Sequence, residues 1–131
     1  IQVFQGCSGF TGNLVIPDSV TSIGSSAFHG CSGLTGDLVI PNSVTSIDTS
    51  AFDGCTSLTS IVIPISVKDM YSWVFSDCSS LTIYCEATSE PSKWSSFWND
   101  SNRPVYWYSE NEPTTSGNYW HYVDGVVTKW E

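Results

Sequence analysis

Hydrophobic positions recur along this chain with a period of about two dozen residues. Four phenylalanines are each followed three residues later by a cysteine, and they stand 24, 24 and 23 residues apart (Phe4, Phe28, Phe52 and Phe75). An Ile-Pro pair followed by a Ser-Val pair recurs on the same period. Periods of roughly 20 to 50 residues are typical of solenoids, in which each repeat forms one coil of a stack. The pattern therefore predicts a solenoid.

Each repeat contains a short strand that a proline ends. In residues 58–63 the apolar side chains alternate, so that Ile61 and Ile63 face the core and Val62 faces outward. Pro64 ends the strand because proline has no backbone N–H to donate. A single repeat cannot bury its apolar side chains alone. We therefore expect the strands of successive coils to stack in parallel.

The rest of the repeat predicts a second extended segment and a turn. Val44 and Ile47 fit a short extended piece, and the apolar residues of segment 51–58 follow at spacings that suit one or two helical turns. Segments 10–16 and 34–40 each carry one residue more than the later strand segment. An extra residue in a strand predicts a local bulge.

These motifs resemble those of a known family. Residues 58–64 match the start of a leucine-rich repeat, Leu-x-x-Leu-x-Leu, and Ser-Val-Thr-Ser-Ile, Ala-Phe and Gly-Cys recur at fixed offsets. Together they are similar to the BspA-type leucine-rich repeat of surface proteins from bacteria and some protists. The resemblance covers residues 1–85. It implies a leucine-rich repeat solenoid, α/β or mainly β, of about 3.5 coils of 23–24 residues, with a truncated first coil and a degenerate last one.

Beyond Cys85 the repeat stops and the composition becomes rich in aromatic residues. Segment 91–98 predicts a short helix that buries two tryptophans and a phenylalanine (Trp94, Phe97 and Trp98). A strand at 105–108 follows, and Asp124-Gly125 between alternating apolar residues predicts a β-hairpin. We interpret residues 86–131 as a helix-plus-hairpin cap, because the end of a solenoid exposes apolar surface that another unit must cover.

Charge excludes some classes of partner. The chain has 13 acidic residues against four Lys and Arg, a formal charge of -9. Nucleic acid is excluded as a partner because phosphate binding requires a basic patch. No apolar run reaches the roughly 18 residues of a membrane span, so we expect no membrane insertion. Because the chain begins with Ile1 within a repeat, we expect a targeting signal or anchor to lie outside this fragment.

The five cysteines have two interpretations. Four of them occur one per repeat, which favours small, buried, free thiols. Equivalent positions in stacked coils lie about 5 Å apart, however, so a pair could be bridged. The state of Cys85, which lies outside the periodic series, is left open.

Catalytic and metal-binding motifs are absent from the sequence. The two histidines, His29 and His121, lie far apart, and the pair Glu110 and Glu112 stands in a proline-containing linker. No loop carries the oxygen ligands of a calcium site. An enzyme on a parallel β-helix, such as a polysaccharide lyase, would need a charged cluster that the repeats lack. We expect a protein without catalytic residues, metal or cofactor.

A binding surface is expected on the concave side of the solenoid, where strand residues point outward between the core positions. The candidate residues are Asn13, Val15, Asp37, Val39, Ser60, Val62, Thr82 and Tyr84. The valines form an apolar stripe, although ordinary strand composition would produce one too. An alternative aromatic site comprises Trp107, Trp120 and Tyr122. The competing interpretation is a hairpin that only packs on the cap.

The sequence therefore favours two alternative functions. The resemblance implies an extracellular or cell-surface adhesion module that binds matrix or host proteins through the concave face. The alternative is a cell-wall or carbohydrate-binding module that recognises glycans through the aromatic C-terminal hairpin, because loosely similar aromatic hairpins occur in cell-wall-binding repeats.

Overall fold

A computed structural model of the protein describes residues 12–131, and this part of the chain consists of strands and turns without a helix. It has nine strands: β1 (Ser22–Ile23), β2 (Gly36–Val39), β3 (Ser46–Ile47), β4 (Leu58–Ile63), β5 (Asp69–Met70), β6 (Thr82–Cys85), β7 (Val105–Tyr108), β8 (Tyr119–Val123) and β9 (Val126–Lys129). The positions of Phe4 and Cys7 lie outside the described residues. No helix in residues 12–131 has the length and apolarity that crossing a membrane requires.

The strands form the two sheets of a curled solenoid of about four turns. The larger sheet has the order β2-β4-β6-β7-β8-β9 and is parallel except for β9. The smaller sheet, β1-β3-β5, is parallel throughout. Successive coils thus add parallel strands to the growing sheets. The expected coil-on-coil stacking of parallel strands is confirmed.

Stacked aromatic rings fill the core between the sheets and the turns. Phe28 and Phe52 stack with centroids 5.2 Å apart, and Phe52 and Phe75 with centroids 5.8 Å apart. Trp98 continues the column, with its ring edge-on to Phe75 at 6.2 Å. The periodic phenylalanines therefore stack because the same residue of every coil occupies the same place.

The turns of each coil bond to the next coil as well as within themselves. The amides of Phe28 and Phe52 donate to Ala51 O and Val74 O, at 2.7 and 2.9 Å. Ser50, which precedes this turn, has a left-handed backbone with φ 58°. Within segment 51–58 the amide of Phe52, which a helix would pair four residues back, instead donates to the next coil. The helical turns predicted for segment 51–58 are therefore hydrogen-bonded turns.

The helix predicted for segment 91–98 was wrong for the same physical reason. The amides of Trp94 and Trp98 reach back only three residues, and Ser95 N donates to Met70 O at 2.7 Å. Phe97 O accepts from Trp73 N of the preceding coil, and Phe97 is exposed rather than buried. The backbone groups that a helix would pair internally are thus used to continue the solenoid.

Beyond Cys85 the parallel sheet and the core both continue. Strand β7 pairs with β6, and Trp94 and Trp98 lie in the main core. The predicted hairpin is confirmed, because β8 and β9 are antiparallel around Asp124 and Gly125. Both turn residues have positive φ, 50° and 79°, as a type I′ turn requires. The domain boundary at residue 85 stays a prediction.

The four cysteines in the described part of the chain are buried. Cys55 and Cys78 are free and buried, and their Sγ atoms donate to the Phe28 and Phe52 carbonyl oxygens at 3.2 and 3.0 Å. Cys85 is also free, and burial raises the pKa of its thiol. Free thiols are confirmed at Cys55 and Cys78, and Cys85, left open above, is a free thiol too. Cys31 is disulfide-bonded, so at this position the bridged interpretation holds rather than the favoured free thiol.

A register shift between Gly36 and Asp37 confirms the bulge predicted in segment 34–40. Gly36 has φ 80°, and a Cβ there would lie 2.5 Å from Asn13 Oδ1. The positive φ favours glycine here, because a residue with a side chain is strained in this backbone conformation. The bulge predicted for segment 10–16 falls partly outside the described residues.

Candidate functional site

The outward side of the six-stranded sheet carries an apolar row that crosses the coils. Strand alternation sends Leu38, Ile61 and Ile83 into the core, and the residue after each points to the opposite face. Parallel pairing then places these outward residues side by side. We name this set the outer row: Val39, Val62, Tyr84 and Tyr106.

Six of the predicted concave-face residues lie on this side of the sheet. Asp37, Ser60 and Thr82 are in register and form a polar row beside the outer row, in which Ser60 Oγ donates to Asp37 Oδ1 at 2.6 Å. In the first described coil, Asn13 and Val15 are exposed while Leu14 packs on the core. Six of the eight predicted residues are thus in register on one face, whereas Asn13 and Val15 lie outside the described strands.

Exposure differs along the outer row. Val39 is 62% exposed, whereas Val62, which we expected to be accessible, is buried. Tyr84 and Tyr106 are half-buried and stack on each other, with centroids 5.5 Å apart. The accessible apolar surface is therefore concentrated at Val39 and at the tyrosines.

An aromatic cluster shares Tyr84 and Tyr106 with the outer row and also contains Tyr108, Trp120 and Tyr122. Trp120 is its centre: its ring lies 5.7 Å from Tyr84, 5.3 Å from Tyr108 and 4.8 Å from Tyr122, edge-on in each case. Trp120 is fully buried although it is not part of the main core, and its Nε1 donates to Cys85 O at 2.8 Å. The indole therefore packs against three of the four tyrosines.

The alternative aromatic site is only partly brought together. Trp120 and Tyr122 are in contact, but Trp107 points to the opposite face of β7, packs against the core and lies 6.1 Å from the Trp94 ring. Sequence reasoning missed Tyr106 and Tyr108, which flank Trp107. The alternation along β7 shows that Tyr106 and Tyr108 share a face opposite to Trp107. Which of the two faces points outward is known only once β7 is paired with β6.

Charged groups border the aromatic cluster. The Glu86 carboxylate accepts from Tyr122 Oη at 3.1 Å and from Ile65 N at 3.3 Å. Burial and the Glu86 charge raise the pKa of Tyr122 to about 12. Lys129 Nζ lies 4.8 Å from the centroid of the Tyr106 ring, a cation–π contact. Glu86, Tyr108, Tyr122 and Ile65 line a depression of about 220 Å³.

The two histidines have side-chain partners outside the aromatic cluster. His29 is on the turn side, with Nε2 3.8 Å from Asp53 Oδ2, and burial raises the pKa of that carboxyl. His121 stacks on Trp130 at 3.8 Å. Within residues 12–131, no group of three or more His, Cys, Asp or Glu side chains is placed to hold a metal ion.

Comparison with known families agrees with this geometry. The family described as BspA type leucine rich repeat region (6 copies) matches residues 1–103, most of the chain. The chain belongs to this BspA-type family. The match extends past Cys85 into the coil that carries Trp94 and Trp98. No curated protein and no solved structure matches the chain. Leucine-rich repeats of this kind are typically binding scaffolds without catalytic activity.

Proposed function

We propose that this BspA-type protein is a non-catalytic adhesion module, extracellular or at the cell surface, that binds a protein partner on the outward side of its six-stranded sheet. The continuous outer row supports this most strongly. It spans four strands, and its accessible members, Val39 and the tyrosines, offer apolar contact. Matrix and host proteins are the partners that the family suggests.

The composition of this face suits protein recognition. Tyrosine is enriched at the centres of protein interfaces because its ring contributes apolar area and its hydroxyl can form a hydrogen bond. The polar row of Asp37, Ser60 and Thr82 lies directly beside the apolar one. An apolar centre with a polar rim is the usual arrangement of such interfaces.

Carbohydrate binding by the predicted trio receives less support. Trp120 is fully buried and Trp107 is half-buried against the core, so the predicted trio does not present three open ring faces to a sugar. Deleting residues 105–131 would also remove Trp107 from its contact with Trp94, so that deletion would not separate the two functions. Point substitutions are the cleaner test.

The proposal is tested with the protein on a panel of immobilised matrix proteins, plasma proteins and mucin. Val39→Asp places a charge in the accessible part of the outer row and should weaken binding about tenfold or more, because an unpaired charge must then be desolvated. Val126→Asp is the matched control, since Val126 is also 62% exposed but lies at the hairpin turn. Equal binding by both variants, or no binding to any panel member, would contradict the proposal.

A further inference from the structure

The aromatic cluster already holds one ammonium group of the protein itself. Lys129 Nζ lies over the Tyr106 ring at 4.8 Å from its centroid. Cations are attracted to such a ring face when they lie within about 6 Å of its centroid. This contact shows that an alkylammonium group fits against a tyrosine on the outward side of the sheet.

A second pocket with tyrosine walls lies in the same aromatic cluster, and none of the described residues that line it has a cationic side chain. The depression of about 220 Å³ is lined by Ile65, Glu86, Tyr108 and Tyr122. The two tyrosine rings lie 6.3 Å apart and are tilted by 46° to each other. They form two walls, Ile65 forms an apolar one, and Glu86 supplies the negative charge.

The hydrogen bonds of this pocket favour a cation. The Tyr122 hydroxyl donates to Glu86 Oε2, and the Tyr108 hydroxyl donates to Glu110 Oε1. A phenol whose hydroxyl donates a hydrogen bond to a carboxylate gains electron density on its ring. This strengthens the attraction of a cation to the ring face. An anion would meet a carboxylate and negative ring faces, so it is excluded by charge. The chain's formal charge of -9 acts in the same direction.

We propose that the pocket formed by Ile65, Glu86, Tyr108 and Tyr122 binds an organic ammonium group. Two sources present this chemistry: the side chain of a lysine and a quaternary ammonium. The proposal goes beyond the adhesion function and does not depend on it, because the pocket residues are not members of the outer row.

Ammonium binding is measured on the full chain by NMR, with tetramethylammonium, n-butylammonium and tert-butanol as probes. Methyl protons that lie over tyrosine rings shift upfield, so the shift reports occupancy of the pocket. At least one of the ammonium probes should bind about tenfold more tightly than the neutral tert-butanol, because only a cation gains from the rings and from Glu86. A preference for n-butylammonium indicates a lysine as the natural ligand, and the reverse indicates a quaternary ammonium.

Variants locate the site. Tyr122→Leu removes one ring and Glu86→Gln removes the charge with little change of shape, and each should weaken binding of the preferred ammonium about fivefold. Tyr71→Leu is the matched control, because Tyr71 is 48% exposed against 42% for Tyr122 and lines a different part of the surface. It should leave binding unchanged.

Two results would overturn the proposal. One is that tert-butanol binds as tightly as both ammonium probes. The other is that Glu86→Gln leaves ammonium binding unchanged, and this variant tests the proposal even if Tyr122→Leu fails to fold. Val39→Asp serves to separate the two proposals, since it should weaken partner binding while leaving ammonium binding intact.

Discussion

Phe52 shows how a single residue stabilises a stack of coils. Its ring is fully buried between Phe28 and Phe75, at 5.2 and 5.8 Å. Its backbone amide donates to Val74 O and its carbonyl accepts from the Cys78 thiol. The side chain thus packs against both neighbouring coils, and the backbone bonds to the following one. The recurrence of this residue in the sequence reflects that repeated environment.

The first prediction concerns this residue. Phe52→Ala should lower the free energy of unfolding by about 3 to 5 kcal/mol, because it removes a buried ring and leaves a cavity between two others. Urea denaturation followed by tryptophan fluorescence measures the change. Phe97→Ala serves as control, since Phe97 is 58% exposed and should cost about 0.5 kcal/mol or less. Similar losses in the two variants would show that the ring column does not stabilise the core.

At the scale of elements, strands were predicted better than turns. Alternation in residues 58–63 correctly predicted that Ile61 and Ile63 face the core. Side chains alternate with a period of two in a strand and about 3.6 in a helix, so this pattern is specific to a strand. The apolar spacing of segment 51–58 suits a helix and a solenoid turn equally. What decides between them is the hydrogen bond from Phe52 N to Val74 O in the next coil. A partner 22 residues away cannot be read from local spacing.

The hairpin of β8 and β9 depends on its turn. Gly125 has φ 79°, which a β-branched residue adopts only with strain, so Gly125→Val should destabilise the hairpin by about 1 to 2 kcal/mol. Hydrogen exchange should show faster exchange of the β9 amides while β4 and β6 keep their protection. Asp124→Asn is the control, because Asn-Gly also favours a type I′ turn. Unchanged exchange in Gly125→Val would contradict the turn assignment.

At the scale of the whole molecule, the two predicted sites adjoin on one surface. Tyr84, predicted as part of the concave face, contacts Trp120 of the predicted aromatic site at 5.7 Å. The sequence alone predicted two separate sites. The Trp120 indole is anchored by a hydrogen bond to Cys85 O, and these two residues are 35 positions apart in the chain. Parallel pairing through β7 brings them together. The same pairing turns Trp107 inward and leaves Tyr106 and Tyr108 outward.

A second exposed aromatic surface lies on the turn side of the solenoid. Trp73 and Phe97 are exposed, lie in neighbouring coils and are joined by the hydrogen bond from Trp73 N to Phe97 O. Exposed aromatic residues can mark an interaction site, so apolar exposure alone does not select the outer row. The choice between the two surfaces requires a direct view of where a partner binds.

Amide chemical-shift mapping of the complex is the measurement that decides. The isotope-labelled protein is titrated with the panel member that it binds, and the perturbed residues are located on the solenoid. The largest changes should fall at Val39, Tyr84 and Tyr106, with Trp73 and Phe97 unaffected. Changes confined to Trp73, Phe97 and their neighbours would contradict the proposal that the outward side of the six-stranded sheet is the binding surface.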